Sequence, residues 1–314
     1  MINVNVSVNT LTYNKNYDPT HTTVLRNLFV SDVNRRFAEI VFVIKKTVVD
    51  NDCFGLQKGI QTHQVVPAGW QAFNYRLSQE KIAKFMEWLQ IQVNNGILDI
   101  REYEQIGNAI NSAWTNKYIF DSYKRGVIRA RYELQKAGYN VPSIEQTGGI
   151  EISMALPIHL DRLGLLYTRA YTDLKGITEV MDTYISRILA QGLADGDSPI
   201  LLARKMVATI NGQGLGDLGI TDTLGRFIPA KLRAETLART EIIRSHHIAT
   251  IQEYRNWAVY NVIVQAEVIT AGDDKVCLAC EALEKGGPYT LDEAEKLIPN
   301  HPNCRCCTIP LVMN

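Results

Sequence analysis

Residues 158–190, IHLDRLGLLYTRAYTDLKGITEVMDTYISRILA, hold the most regular apolar pattern in the chain. Leu163, Leu166, Ala170, Leu174, Ile177, Met181, Tyr184 and Ile188 step by three or four residues. That spacing keeps to one face of an α-helix, which turns once in about 3.6 residues. The stripe packs inside a bundle, or forms a seam with a partner helix in an oligomer. A chain organised around a helix this long is predicted to be mainly α.

Upstream, a helix is expected from about Val24 to Val49, followed by an irregular excursion over 51–76 that holds Gly55, Gly59, Pro67 and Gly69. Ser78 has the residue type of an N-cap, and the helix behind it places Ile82, Phe85, Met86 and Leu89 on one face until Gly96. Asp99 is read as the cap of another long helix to Gly138, with Ile106, Ile110 and Ala113 facing inward. Residues 2–12 alternate Ile2, Val4, Val6 and Val8 with polar residues, the period of a half-buried strand. Such a strand pairs within its own domain or is donated to a neighbouring subunit's sheet. Pro142, Gly148, Gly149 and Pro157 mark a linker.

Downstream, Pro199 opens a helix through Ile210. The string 212–219, GQGLGDLG, has the spacing of a dinucleotide-binding loop but no preceding strand, so it reads as a connector. A helix from Pro229 to about Trp257 carries Ala234, Leu237, Ala238, Ile242 and Ala249 as its apolar stripe. Glu241 lies beside that stripe and is assigned to a structural ion pair, with Arg305 as candidate partner, in preference to a catalytic role. His246–His247 lacks the spacing of a zinc-peptidase helix. Residues 260–270, rich in β-branched side chains, form a strand that pairs with the TIPLV tail, and a short helix spans 291–298. The fold class is therefore mainly α with a small α+β C-terminal module. Three segments are expected: 1–150, 151–228 and 229–314.

Lys plus Arg and Asp plus Glu number 33 each in 314 residues, and 46% of the residues are hydrophobic. This is globular composition, without the basic excess of a nucleic-acid coat. The first residues lack the pattern of a signal peptide, and no apolar run reaches about 18 residues, so neither secretion nor a membrane partner is expected. No nucleophile elbow, Walker A string or paired-carboxylate motif is present, so no catalytic residues are assigned.

Cysteine placement carries the strongest signal. Cys53 stands alone, while Cys277, Cys280, Cys304, Cys306 and Cys307 gather with His301 near the C-terminal end. Clustering with a histidine favours a metal over a disulfide framework. Cys277, Cys280, His301 and Cys304 form a C-x2-C pair and an H-x2-C pair, a closed tetrahedral set for structural zinc. Cys306 or Cys307 can replace one of the last two. Reduced thiols stitching a hairpin, and a redox C-x-x-C, are the other readings. Against redox chemistry stand the surrounding Asp273, Asp274, Glu281 and Glu284, where a low-pKa thiol prefers an electropositive helix start.

The runs Ala234-Glu-Thr-Leu-Ala-Arg239-Thr240-Glu241, Gly272-Asp-Asp-Lys-Val-Cys277-Leu-Ala-Cys280 and Pro299-Asn-His301-Pro302-Asn-Cys304-Arg305-Cys306 occur in this order. Together they resemble the phage Mu F-like head morphogenesis family over about residues 229–312. Lys275 stands where arginine is common, Cys307 is an extra thiol, and an aromatic residue frequent in the preceding strand is missing. The resemblance implies a minor head protein of a tailed bacteriophage, assembled in the host cytoplasm and retained in the virion. It would act in head assembly and DNA packaging or ejection, with the portal, major capsid or scaffold proteins as partners. An enzyme or effector fused to a head-targeting module is one alternative. A DNA-binding protein of the head interior is the other, with contacts expected from Lys117, Lys124, Arg125, Arg129, Arg131 and Lys136, and stacking from Tyr118, Phe120, Tyr123 and Tyr132.

Overall fold

The computed structural model describes residues 18–57, 71–102, 105–106, 109–110, 113–212, 228–258 and 264–312. The expected strand over 2–12 and the glycine string after Gly212 lie outside the described residues. The chain is mainly helical, with a small antiparallel sheet near the C-terminal end. In order it runs α1 (Thr23–Lys45), α2 (Ser78–Ile91), β1 (Gln105–Ile106), β2 (Ala109–Ile110), α3 (Asn116–Lys136), α4 (Ile150–Met154), α5 (Pro157–Asp195), α6 (Pro199–Asn211), α7 (Ala230–Ala258), β3 (Val264–Ile269), α8 (Leu278–Gly286), α9 (Leu291–Leu297) and β4 (Cys307–Val312). Helices α1 and α2 each end in a π-helical stretch, Lys46–Asp50 and Gln92–Ile97. No helix among the described residues is long and apolar enough to cross a membrane.

The long amphipathic helix is present as α5. Leu163, Leu166, Ala170, Leu174, Ile177 and Met181 are buried as expected, but the last two turns bury Ile185 and Leu189 in place of Tyr184 and Ile188. Steps of four after Met181 swing the stripe toward α6, which folds back through Gly196, at φ 71°. Ser198 caps α6, its Oγ accepting from the Leu201 N–H at 3.3 Å, with Pro199 in the first turn.

Two upstream expectations are corrected. Leu77, not Ser78, occupies the N-cap of α2, and no side chain caps that helix. The stretch after Asp99 does not continue as helix: β1 and β2 pair antiparallel, and α3 begins only at Asn116. Apolar spacing at Ile106, Ile110 and Ala113 fits a helix, but a short ladder supersedes it.

Helix α7 runs through the middle. It packs on α1, α3, α5 and α6, and also on α9, β3 and β4. Gly126 of α3 lets the two helices touch: a Cβ there would lie 2.7 Å from Ala249 Cβ and collide with the His246 carbonyl. One apolar cluster joins Phe29 and Phe37 of α1, Leu174 and Met181 of α5, and Ala234, Ala238 and Ile242 of α7. The cores therefore cross the sequence boundaries at 150 and 228. Strand β3 buries Val264, Ala266 and Val268 in alternation. It pairs antiparallel with β4, as expected for the closing tail, with Val264 opposite Val312 and Ile269 opposite Cys307.

Asp182 of α5 is 8% exposed, and its Oδ1 has no hydrogen-bond partner. Burial pushes its carboxyl up to about 6, Gln90 opposes this by hydrogen bonding, and the nearby Glu179 charge adds to it. The folded state thus keeps a proton that the unfolded chain releases at lower pH, and stability is lost as pH rises from about 4 to about 6. Asp182→Asn should stabilise the chain by about 1–2 kcal/mol at pH 8 and by almost nothing at pH 4, read by urea unfolding. An equal effect at both pH values would contradict this.

Candidate metal centre

Three short structural pieces bring the thiols and the imidazole together. Cys277 is the N-cap of α8, and its Sγ accepts from the Cys280 N–H at 3.4 Å. The C-x2-C turn is thus the first turn of a helix that the sequence reading missed. The amide contact lowers the Cys277 thiol, whereas burial pushes Cys280 up to about 11. Because the pair does sit at a helix start, the lack of one is no argument against redox chemistry. Instead, the imidazole over both sulfurs points to ligation: His301 Nε2 lies 3.3 Å from Cys277 Sγ and 3.2 Å from Cys280 Sγ.

His301 opens a tight turn in which the Cys304 N–H donates to its carbonyl at 3.1 Å. Asn303 takes φ 62° there, a left-handed conformation that Asn tolerates. The imidazole Nδ1 is 2.8 Å from the Pro302 carbonyl, so it donates and leaves Nε2 as the free lone pair for a metal. That contact is also the main cause of the raised His301 pKa.

Residues 304–307 alternate. Cys304 and Cys306 join Cys280 in a second triplet, while Arg305 and Cys307 face elsewhere. Cys277, Cys280 and His301 form the first triplet, and Cys280 belongs to both; within each, the ligand atoms lie within 4.8 Å of one another. The Cys304 thiol is lowered to about 5, first by its hydrogen bond with Cys306 and then by the Cys306 and Asn300 amides, and the Cys306 thiol is raised in turn. The cluster can hold a metal ion. Cys307 does not belong to it: its Sγ lies 3.5 Å from both the Pro19 carbonyl and Arg129 Nη2, on the α3 side. The alternation Cys304-Arg305-Cys306 was the available signal that Cys306, and not Cys307, shares the ligand face.

The Glu241–Arg305 pairing is corrected. Arg305 makes a bidentate pair with Asp273, at 2.6 and 2.5 Å, because alternation turns it away from α7. That pair holds the Asp273 carboxyl down at about 2. Glu241 is in a structural ion pair, but with Arg169 Nε at 3.2 Å and Arg244 Nε at 3.0 Å. A contact with no local signature ties α7 to the ligand turn: the Asn303 N–H donates to Thr240 Oγ1 at 3.0 Å.

The basic residues of α3 do not form one face for nucleic acid. Arg131 is buried against Glu253, Nη2 at 2.5 Å and Nε at 2.8 Å, and Arg129 lies 2.6 Å from Glu133. Lys124 pairs with Glu151 at 2.8 Å, Lys117 lies 3.7 Å from Asp32, and Arg125 donates to the His21 carbonyl. Lys136 closes the helix. Tyr118 and Tyr123 are buried, Phe120 is half-buried, and Tyr132 alone of the four aromatics is exposed. Helical spacing spread these side chains around the axis, and α7 took the inner ones.

Compared with models of known families, with curated proteins and with solved structures, the chain has no match.

Elemental analysis of the purified chain should give about one bound metal ion, lost in Cys280→Ser and retained in Cys307→Ser. Loss in both variants, or in neither, would contradict the placement of the thiols.

Proposed function

We propose that the chain is a structural minor head protein of a tailed bacteriophage, of the Mu F-like kind, and that it performs no catalysis. One observation carries the reading. The three sequence pieces behind the resemblance lock onto one another: Thr240 holds the ligand turn through Asn303, Asp273 holds Arg305, and the two cysteine-bearing pieces share one ligand cluster. A resemblance spread over separate stretches gains support when those stretches form one physical unit.

Zinc is the proposed ion. Thiolates with one imidazole are a donor set that zinc accepts in a tetrahedron, and a set closed by protein ligands leaves no position for a reacting water. Cys277, Cys280, His301 and Cys304 would ligate, with Cys306 donating to the Cys304 sulfur. The ion would pin α8 to the 301–304 turn, and Thr240 would carry that rigidity into α7. On this reading the helical body docks on the portal, major capsid or scaffold proteins, at the portal vertex or inner capsid, and serves head assembly and DNA packaging or ejection. Virion DNA contact would then come from elsewhere than the α3 set, much of which is held in internal pairs.

The test is the ratio of this chain to the portal protein in purified particles, by quantitative mass spectrometry. A ratio near one, or a small simple fraction, is expected. Absence from mature particles while the chain is abundant in infected cells would overturn the proposal in favour of a transient factor or a host-directed effector.

A further inference from the structure

Beside the cluster, α5, α7 and the 299–303 loop enclose an open groove of about 790 Å³. Along α7 its floor carries Arg233, Leu237, Thr240 and Arg244, one stripe about 16 Å long at the rise of an α-helix. Glu241 lies between the two arginines and is 2% exposed. Its Oε1 accepts from Arg169 and Arg244, but its buried Oε2 has no hydrogen-bond partner. A buried carboxylate oxygen without a donor is uncommon in a folded protein. Arg244 spends only its Nε on Glu241. The Arg233 side chain has no ion pair or hydrogen bond among the described residues.

We propose that this groove binds a short extended peptide with two acidic residues four or five positions apart. An extended chain rises about 3.3 Å per residue, so that spacing spans the distance between Arg233 and Arg244. Each guanidinium takes a carboxylate through paired N–H groups. Apolar side chains between the acids cover Leu237 and the loop prolines. A lone phosphate reaches only one end of the groove. A polynucleotide has no apolar side chains to cover Leu237 and the loop prolines.

The full-length chain is panned with a library of random ten-residue peptides. The best binder is then titrated by fluorescence anisotropy against the parent chain and Arg233→Glu, near 0.15 M salt. Enriched peptides should carry acid pairs at the stated spacing. Arg233→Glu should weaken binding at least about tenfold, with metal content and thermal unfolding unchanged. No enrichment, enrichment without that acid pair, an affinity indifferent to Arg233→Glu, or equal displacement by oligothymidylate would each overturn the proposal; the last would make the groove a nucleic-acid site.

Discussion

The deep burial of much of α7 is the constraint that the rest of the structure meets. Its apolar residues Ala234, Ala238, Ile242 and Ala249 face one set of helices, yet Glu241, Ser245, His246, His247, Thr250 and Glu253 are buried too. A polar group removed from water needs a partner, so the neighbours of α7 are largely dictated by it. Glu253 takes Arg131 and the Trp257 indole N–H at 2.8 Å, and Tyr254 donates to Glu133 at 2.7 Å. His247 is driven down to about 4 by burial and is neutral at physiological pH, with Nε2 2.9 Å from the Ala294 carbonyl. These contacts fix α3 on one side and α9 on the other.

The ligand cluster grows from the same helix. Thr240 sits one residue before Glu241, and its hydroxyl holds the turn from which His301 and Cys304 reach the α8 thiols. The two-stranded sheet contributes rigidity. Strand β3 is bonded to β4 on one edge and to Tyr289 on the other, both Ala266–Tyr289 bonds being 2.8 Å. Thr290 and Glu293 form a capping box that starts α9 immediately afterwards. A module this small has little apolar core of its own, and an ion held by the Cys/His cluster, as proposed, would stabilise it where packing is thin.

Periodicity made much of the fold legible. Helix α5, helix α6 with Pro199 in its first turn and the pairing of the TIPLV tail with the 260–270 strand all follow from local sequence. Where two patterns competed, spacing failed: Ile106 and Ile110 fit a helix but lie in a two-residue ladder. Partner identity was illegible for a different reason. That Glu241 needed a cation could be read from its position beside the stripe, but Arg169 and Arg244 were chosen by tertiary contact. The same holds for Arg131, which looks like a solvated cation in sequence and is a core residue in space.

The candidate metal cluster was legible to the level of its ligand types and spacing, and the alternation that turns Cys307 away toward α3 was a signal the sequence reading left unused. The proposed closed zinc site is tested most directly by X-ray absorption at the zinc edge on the purified chain. Three sulfurs at about 2.3 Å and one nitrogen at about 2.0–2.1 Å are expected. A shell of oxygens and nitrogens alone, or a water oxygen completing an open site, would contradict it.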